Sequence, residues 1–434
     1  MKSEPTYLSI MSEKLHSLSV FRIICILSAG FFASCDSSNP PLEVEPPTVP
    51  VPVELLPVAD TKITLSNGRL SVRLAANGGL NGLHFDLDDS SPTPTRAAGV
   101  GSSVGLWLAG PQNGIKSNVG SDMLNLILDK FELEGQNQDG YGLYVVERED
   151  FELGFESWPS DFGAPIYPNG SPKMLGDAMV WGVFGGISTS ANSFTGLRIV
   201  KTAYVFDDDE LRNTLFVRYE VSNRSAFPIE DLHIGFGADM DLGWGGPYSI
   251  PPCGRQNPGW NHSGYNLDNN YSYTYMKPDS SDGNLSHGCY GILVGYTILG
   301  TSSDNGLSVP FLSHRVLTKS CAALFSACQI QTPSQVLLAL QGLSSEGAPM
   351  IDPTTGEPTN FAFTGNPVTE MGWVDTRNEV RSLLALAPIS LAPGETVEFI
   401  VPIFTTISPS FEQGYEDLAT LYDKVMSLRS TWDY

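Results

Sequence analysis

Positive charge is scarce in this chain. Its 434 residues hold 24 Lys and Arg against 48 Asp and Glu, a net charge of −24. Affinity for nucleic acid rests on basic side chains neutralising phosphates, and docking on anionic lipid rests on the same charge, so both classes of partner are excluded. Charge of either sign is also sparse, at 17% of residues over a 41% hydrophobic background, which rules out a disordered acidic polymer. No apolar run approaches the roughly 20 residues needed to span a bilayer as a helix. Close Cys-x-x-Cys pairs, which a structural zinc site would want, are missing. So are His-Glu-x-x-His and any Gly-rich loop ending in Gly-Lys, excluding the common zinc-protease and phosphate-loop signatures. What remains is rich in turns, with 43 Gly and 31 Pro.

The N-terminal segment reads as an export signal. Lys14 and Arg22 precede an apolar stretch from Ile23 to Phe32, too short to span a membrane but right for a signal core. Ala33-Ser34-Cys35 then resembles the bacterial lipobox, in which the signal is cut before a Cys that takes the lipid, palmitate included. Residues 1–34 are therefore expected to be a lipoprotein signal peptide. Residues 35–60, with the Pro-rich stretch Pro40 to Pro57, form an extended tether. The expected location is the cell envelope, at the outer membrane or cell surface rather than the inner membrane, with Cys35 as the lipidated residue. Of six cysteines, Cys25 leaves with the signal. Cys253, Cys289, Cys321 and Cys328 remain and are expected to be disulfide staples in an oxidising compartment. Three connectivities are open, of which Cys253–Cys289 with Cys321–Cys328 is favoured because each bridge closes a loop-rich segment.

From 61 to 434 the pattern is dominated by strands. Ile63 and Leu65, then Asn67-Gly68, then Leu70, Val72 and Leu74 read as a hairpin with Asn-Gly in its two-residue turn. Leu215, Val217, Tyr219 and Val221 alternate with a second set of residues, as do Val397, Phe399, Val401 and Ile403 beyond the turn Ala392-Pro393-Gly394-Glu395. Near 410–431 the period changes. Leu418, Leu421, Tyr422, Val425, Leu428 and Trp432 recur at helical spacing, and Ser410 with Gln413 forms a candidate capping box. The expected fold is mainly β, a large antiparallel β-sandwich or double sandwich closed by one C-terminal helix.

Several stretches carry a family resemblance. They are Gly105-Leu106-Trp107-Leu108-Ala109-Gly110, Gly163-Ala164-Pro165, Gly176 to Trp181, Phe216-Val217-Arg218-Tyr219 and Asp239-Met240-Asp241-Leu242-Gly243. Gly365-Asn366-Pro367-Val368, Met371-Gly372-Trp373, Arg381 and Leu391 to Glu395 complete the set. In this order they resemble a family of large, uncharacterised secreted β-domain proteins of Bacteroidota and related bacteria, in which the domain often precedes a C-terminal secretion-sorting module. The chain departs from that pattern at Asn366, where the family has Asp, and at Gly264-Tyr265-Asn266, where the family has Gly-x-Asp. The resemblance implies a fold and an extracellular setting, with a lipid replacing the sorting module. It implies no reaction.

For chemistry, Asp239 and Asp241 leave the strand-like Leu232–Phe236 on one side and form a candidate site for a hard cation such as calcium. Asp177, Asn266 and Asp268 are the available further donors. Asp207-Asp208-Asp209-Glu210 reads as a solvated hairpin tip. Among Trp107, Trp158, Trp181, Trp244, Trp260 and Trp373, only Trp244 and Trp260 flank Gly/Pro-rich loops, making them the candidates for stacking on a glycan. The expected function is a non-enzymatic binding or structural module of the envelope, with a glycan or an envelope protein as partner. The alternative is a carbohydrate-active enzyme that hydrolyses glycan with loop carboxylates near 239–290. The two differ in geometry. The enzyme needs a deep pocket holding two carboxylates, whereas the binding module needs a shallow aromatic patch.

Overall fold

The computed structural model describes residues 62–75, 79–86, 97–112, 115–121, 131–133, 143–147, 158–186, 196–242, 261–276, 291–301, 306–318, 332–376 and 380–433. The expected signal peptide and tether, Cys35, the four candidate disulfide cysteines, Trp244 and Trp260 all lie outside the described residues. Among the described residues no helix is long and apolar enough to cross a membrane.

In chain order the strands begin with β1 (Lys62–Ser66), β2 (Leu70–Ala75), β3 (Leu80–Asp86), β4 (Ala97–Gln112), β5 (Ile115–Ser121), β6 (Phe131–Leu133) and β7 (Leu143–Glu147). They continue with β8 (Ala178–Gly186), β9 (Leu197–Val205), β10 (Thr214–Asn223), β11 (Ile229–Asp239), β12 (Asn261–Asn266), β13 (Tyr271–Met276) and β14 (Ile292–Tyr296). The last are β15 (Leu299–Gly300), β16 (Phe311–Thr318), β17 (Met350–Ile351), β18 (Pro358–Thr359), β19 (Val380–Leu386), β20 (Ile389–Leu391) and β21 (Thr396–Ile407). Among the described residues the α-helices are α1 (Pro333–Leu340), α2 (Phe411–Ser427) and α3 (Arg429–Trp432).

Two large antiparallel sheets result. The first runs β1-β2-β3-β4-β11-β19-β16, with β5 on β4 and β20 on β11. The second runs β12-β13-β14-β21-β10-β9-β8-β6, with β15 on β21 and β7 on β8. The expected sandwich is observed, and its core obeys the two-residue period. Leu215, Val217, Tyr219 and Val221 of β10, and Val397, Phe399, Val401 and Ile403 of β21, face Leu106, Leu108, Ile234, Phe236 and Leu384 of the first sheet.

The outer faces are covered too, which makes four layers. On the second sheet, Trp181, Tyr204, Phe216 and Ile400 meet Val425 and Trp432, while Tyr271, Tyr273, Tyr275 and Phe404 meet Phe411 and Leu418 of α2. Ser410 caps α2 by accepting from the Gln413 N–H at 3.3 Å. The expected capping box is only half made, because the Gln413 amide turns along the helix to Asp417 at 2.8 Å. The C-terminal end is pinned by Trp432, whose Nε1 donates to the Val425 carbonyl at 2.7 Å. On the first sheet, α1 lays Val336, Ala339 and Leu340 over Trp107, Ala109, Leu383 and Ala385. A full capping box starts this helix: Thr332 Oγ1 accepts from the Gln335 N–H, and Gln335 reaches back to the Thr332 N–H. The expectation of one C-terminal helix is thus incomplete.

The first hairpin also differs by one residue from expectation. The Asn67 N–H donates to the Leu70 carbonyl at 3.1 Å, so Gly68 and Arg69 are the turn residues, and only Gly68 has positive φ, at 80°. Asn67 is used instead as a tie between layers. Its Oδ1 accepts from the Arg69 and Leu70 N–H groups at 3.0 and 2.7 Å. Its Nδ2 donates to the carbonyls of Phe206 and Arg212 at 2.7 and 2.9 Å. All four hydrogen-bonding positions of the carboxamide are thereby filled.

One seam of the sandwich places the candidate site. The outer strand β16 of the first sheet receives residues 360–362 alongside it: the His314 N–H donates to the Asn360 carbonyl at 3.0 Å, and the Ala362 N–H to the His314 carbonyl at 2.9 Å. The outer strand β12 of the second sheet is met by the same segment, its Tyr265 N–H donating to the Phe363 carbonyl at 3.0 Å. Under the seam, fully buried His314 stacks on Tyr265 at 5.1 Å. Its Nδ1 lies 2.9 Å from the Ala362 carbonyl and its Nε2 3.0 Å from Ser272 Oγ. A carbonyl only accepts, so Nδ1 carries the proton, and in the neutral ring Nε2 accepts from Ser272.

Candidate functional site

The acidic strand end comes first because the sequence points there. Asp239 closes β11 opposite Ser103 of β4, and both are buried. Asp239 Oδ2 accepts from Arg381 Nε of β19 at 3.0 Å, in an ion pair that is only 7% and 18% exposed on its two sides. Three residues on, the Leu242 N–H donates to Asn261 Oδ1 at 3.3 Å, which holds the chain after the buried Asp241 against the start of β12. The further donors suggested by sequence do not gather here. Asn266 sits at the far end of β12, about 17 Å of strand from Asn261, and its Oδ1 accepts from the Asn269 N–H at 2.9 Å. Asp268 is exposed in the following turn. Asp177 accepts from the Asp207 N–H at 2.9 Å beside the second sheet. Among the described residues no three His, Cys, Asp or Glu side chains stand together as a metal cage. Calcium asks for six to eight oxygens.

The Asp207–Glu210 tip is the solvated turn expected. Asp208 Oδ1 accepts from the N–H groups of Glu210 and Leu211, Asp209 pairs with Arg212, and Glu210 pairs with Lys424 of α2. A Gly-x-Ser-x-Gly spacing, Gly101-Ser102-Ser103-Val104-Gly105, lies inside β4, paired with β3 and β11. A nucleophile elbow sits instead on a sharp strand-to-helix turn.

One hollow formed by described residues lies beside the seam. An open pocket of about 380 Å³ is lined by Arg315 and Val316 of β16, Met350 and Ile351 of β17, and Ala362, Phe363, Trp373 and Thr376. The described lining includes no carboxylate. Its wall is built by local geometry. The Gly365 N–H donates to the Trp373 carbonyl and the Asn366 N–H to the Met371 carbonyl, both at 2.8 Å, closing a narrow loop. Asn366 Oδ1 accepts from the N–H groups of Val368 and Thr369 at 2.9 and 3.1 Å. The residue that departs from the family pattern is therefore a turn former here. Gly365 admits the close approach: a Cβ there would lie 2.6 Å from the Met371 oxygen and 2.7 Å from the Trp373 nitrogen.

The loop sets Trp373 edge-to-face on Phe363, with ring centroids 5.1 Å apart and planes at 60°. Phe363 holds φ 57°, a left-handed conformation that a bulky residue seldom adopts. Between the lining residues Val374 and Thr376, buried Asp375 turns away and accepts from the Ser263 N–H of β12 at 3.0 Å. Met371 (70% exposed) and Ile351 (49% exposed) leave apolar surface around this region. The other tryptophans in the described residues, Trp107, Trp158, Trp181 and Trp432, are core. Sequence reasoning missed Arg315 and Phe363. The available signal was a cluster of large apolar residues without period, 361–363 and 371–373, inside a Gly-, Pro- and Thr-rich loop.

Among known proteins, no family model matches this chain. No curated protein matches it either. Of solved structures, it is similar to a candidate aldose 1-epimerase from Escherichia coli K12, at 12% identity and a TM-score of 0.30, covering 80% of this chain and 99% of that one. It is similar also to the Slr1438 protein of Synechocystis sp. PCC 6803, at 7% identity and 0.31, covering 81% and 98%. A polysaccharide lyase shows 9% identity and 0.30, covering 78% of this chain and 32% of the lyase. Likeness at this level leaves fold and chemistry to be argued from this chain's own residues.

Proposed function

We propose that this chain is a lipid-anchored extracytoplasmic protein of the envelope that holds a ligand without transforming it, using the pocket beside the β16 seam. The observation that carries the reading is the lining of that pocket: an arginine and a tryptophan–phenylalanine pair around an open hollow, with no carboxylate among the described lining residues. Hydrolysis of a glycan by the usual route needs two carboxyl groups facing one bond. Asp239, the best sequence candidate for such work, is occupied by Arg381. A glycan is the ligand class favoured, because an aromatic face packs against the C–H face of a sugar ring. The anchor and the outer-membrane or surface location rest on the signal-like segment before Cys35 and on the extracellular setting of the resembling family.

One preparation tests both halves of the reading. Cys35→Ala is expected to move the protein from the membrane fraction to the soluble one. The released protein is expected to bind members of a polysaccharide panel, to lose that binding on Trp373→Ala with its melting temperature kept, and to release no new reducing ends. Cys35→Ala protein that stays with membranes would remove the anchor. Depolymerisation abolished by Asp239→Asn or Asp241→Asn would replace this reading with the carbohydrate-active enzyme.

A further inference from the structure

We infer that the pocket selects an acidic saccharide, a sugar ring bearing a carboxylate, with Trp373 as the stacking wall and Arg315 as the cation that reads the charge. The inference rests on the reading of this pocket as the ligand face. Its volume of about 380 Å³ is at the small end of ligand pockets, room for one or two sugar rings rather than a long chain. Arg315 is the one charged side chain among the described lining residues, and of the others all but Thr376 are apolar residue types. In a chain with twice as many acids as bases, that placement runs against composition.

A guanidinium presents a planar fork that pairs with both oxygens of a carboxylate. Arg315 is half-buried and already engaged within the fold, with its Nη1 buried, so a ligand carboxylate would be met by the other N–H groups of the guanidinium. The fork is also held on a rigid base. The neighbouring His314 is bonded through both its N–H and its carbonyl to the 360–362 segment, so β16 is clamped where Arg315 leaves it. The aromatic wall shows the same investment. Left-handed backbone is unfavourable for a bulky residue such as Phe363, and it persists because its carbonyl accepts from Tyr265 while its ring meets Trp373.

Calorimetric titration of the intact protein with short oligogalacturonates, and with neutral galactose oligomers of the same length, tests the inference. The acidic sugars are expected to bind at least tenfold more tightly. Arg315→Gln is expected to erase that preference, and Arg315→Lys to restore part of it. Equal binding of acidic and neutral sugars by the wild type overturns the inference without reference to any variant. A preference that survives Arg315→Gln in protein with an unchanged melting temperature overturns it as well. Trp373-dependent binding of neutral sugars alone would remove the acidic ligand yet leave the pocket reading standing. No Trp373-dependent binding of any sugar would remove both.

Discussion

Arg381 and Arg315 lie on neighbouring strands of the first sheet, two rungs apart in register, yet they are employed in opposite ways. Arg381 is folded over Asp239, and its charge is answered inside the protein. Arg315 lines a hollow open to solvent. The acids that make the chain net negative are thus spent on structure where they are buried, as at Asp239, or on turns where they are exposed, as at Asp208. In the proposed pocket, recognition would fall to a scarce cation. Composition alone points the other way, toward an acidic cage.

The largest effect separating these two regions is expected from Asp239→Ala. It leaves Arg381 without its partner in a setting little exposed to water, which costs about 3 kcal/mol. Urea unfolding should show that loss, while ligand binding by the folded fraction stays within twofold. A stability change below 1 kcal/mol would mean that the pair is not structural, and the contrast with Arg315 would dissolve. Gly365→Ala probes the other side with a smaller cost. The new Cβ is driven against the Met371 and Trp373 backbone, so about 1–3 kcal/mol of strain is expected. Here saccharide affinity should fall more than fivefold, because Trp373 is displaced. Unchanged affinity would take the wall out of recognition.

The smallest effect concerns Glu220, in a charged patch on the second sheet. Burial first, and then the neighbouring Glu398, push its carboxyl above the ordinary value, against the pull of Arg218. The folded protein therefore binds this proton more tightly than the unfolded chain. Its contribution is fully present in acid, below the unfolded value, and is lost as pH rises through the folded one. Glu220→Gln should raise the melting temperature by a degree or two at pH 7, with the gain fading in acid. A destabilised Gln variant at pH 7 would show the Arg218 contact to be the stronger influence.

The legible parts of this fold are those in which one physical period runs long enough. β10 and β21 each alternate over four core positions because one face meets the opposite sheet. α2 shows its 3.6-residue stripe over 17 residues. The same reading faltered where position and not period decides. At Asn67 the carboxamide is drawn into bonds with Phe206 and Arg212, far away in the chain, and the turn moves by one residue. α1 is eight residues long and too short for a stripe to stand out, though Thr332, Pro333 and Gln335 spell its start. The pocket was illegible for a related reason. Arg315 sits within a strand and Trp373 in a loop, and nothing local announces that residues 360–363 will carry one to the other.

That crossing segment has a consequence for the molecule as an object among its own copies. Residues 360–363 cover β16 and meet β12, so one outermost strand of each large sheet is met by the same short stretch. Uncovered, each strand would offer a row of backbone donors and acceptors to any neighbouring chain. Cleavage or loosening around Phe363 would therefore do more than empty a pocket. It would bare two strand edges to pairing with other copies of the chain, so the residues that shape the proposed pocket also guard against edge-to-edge association.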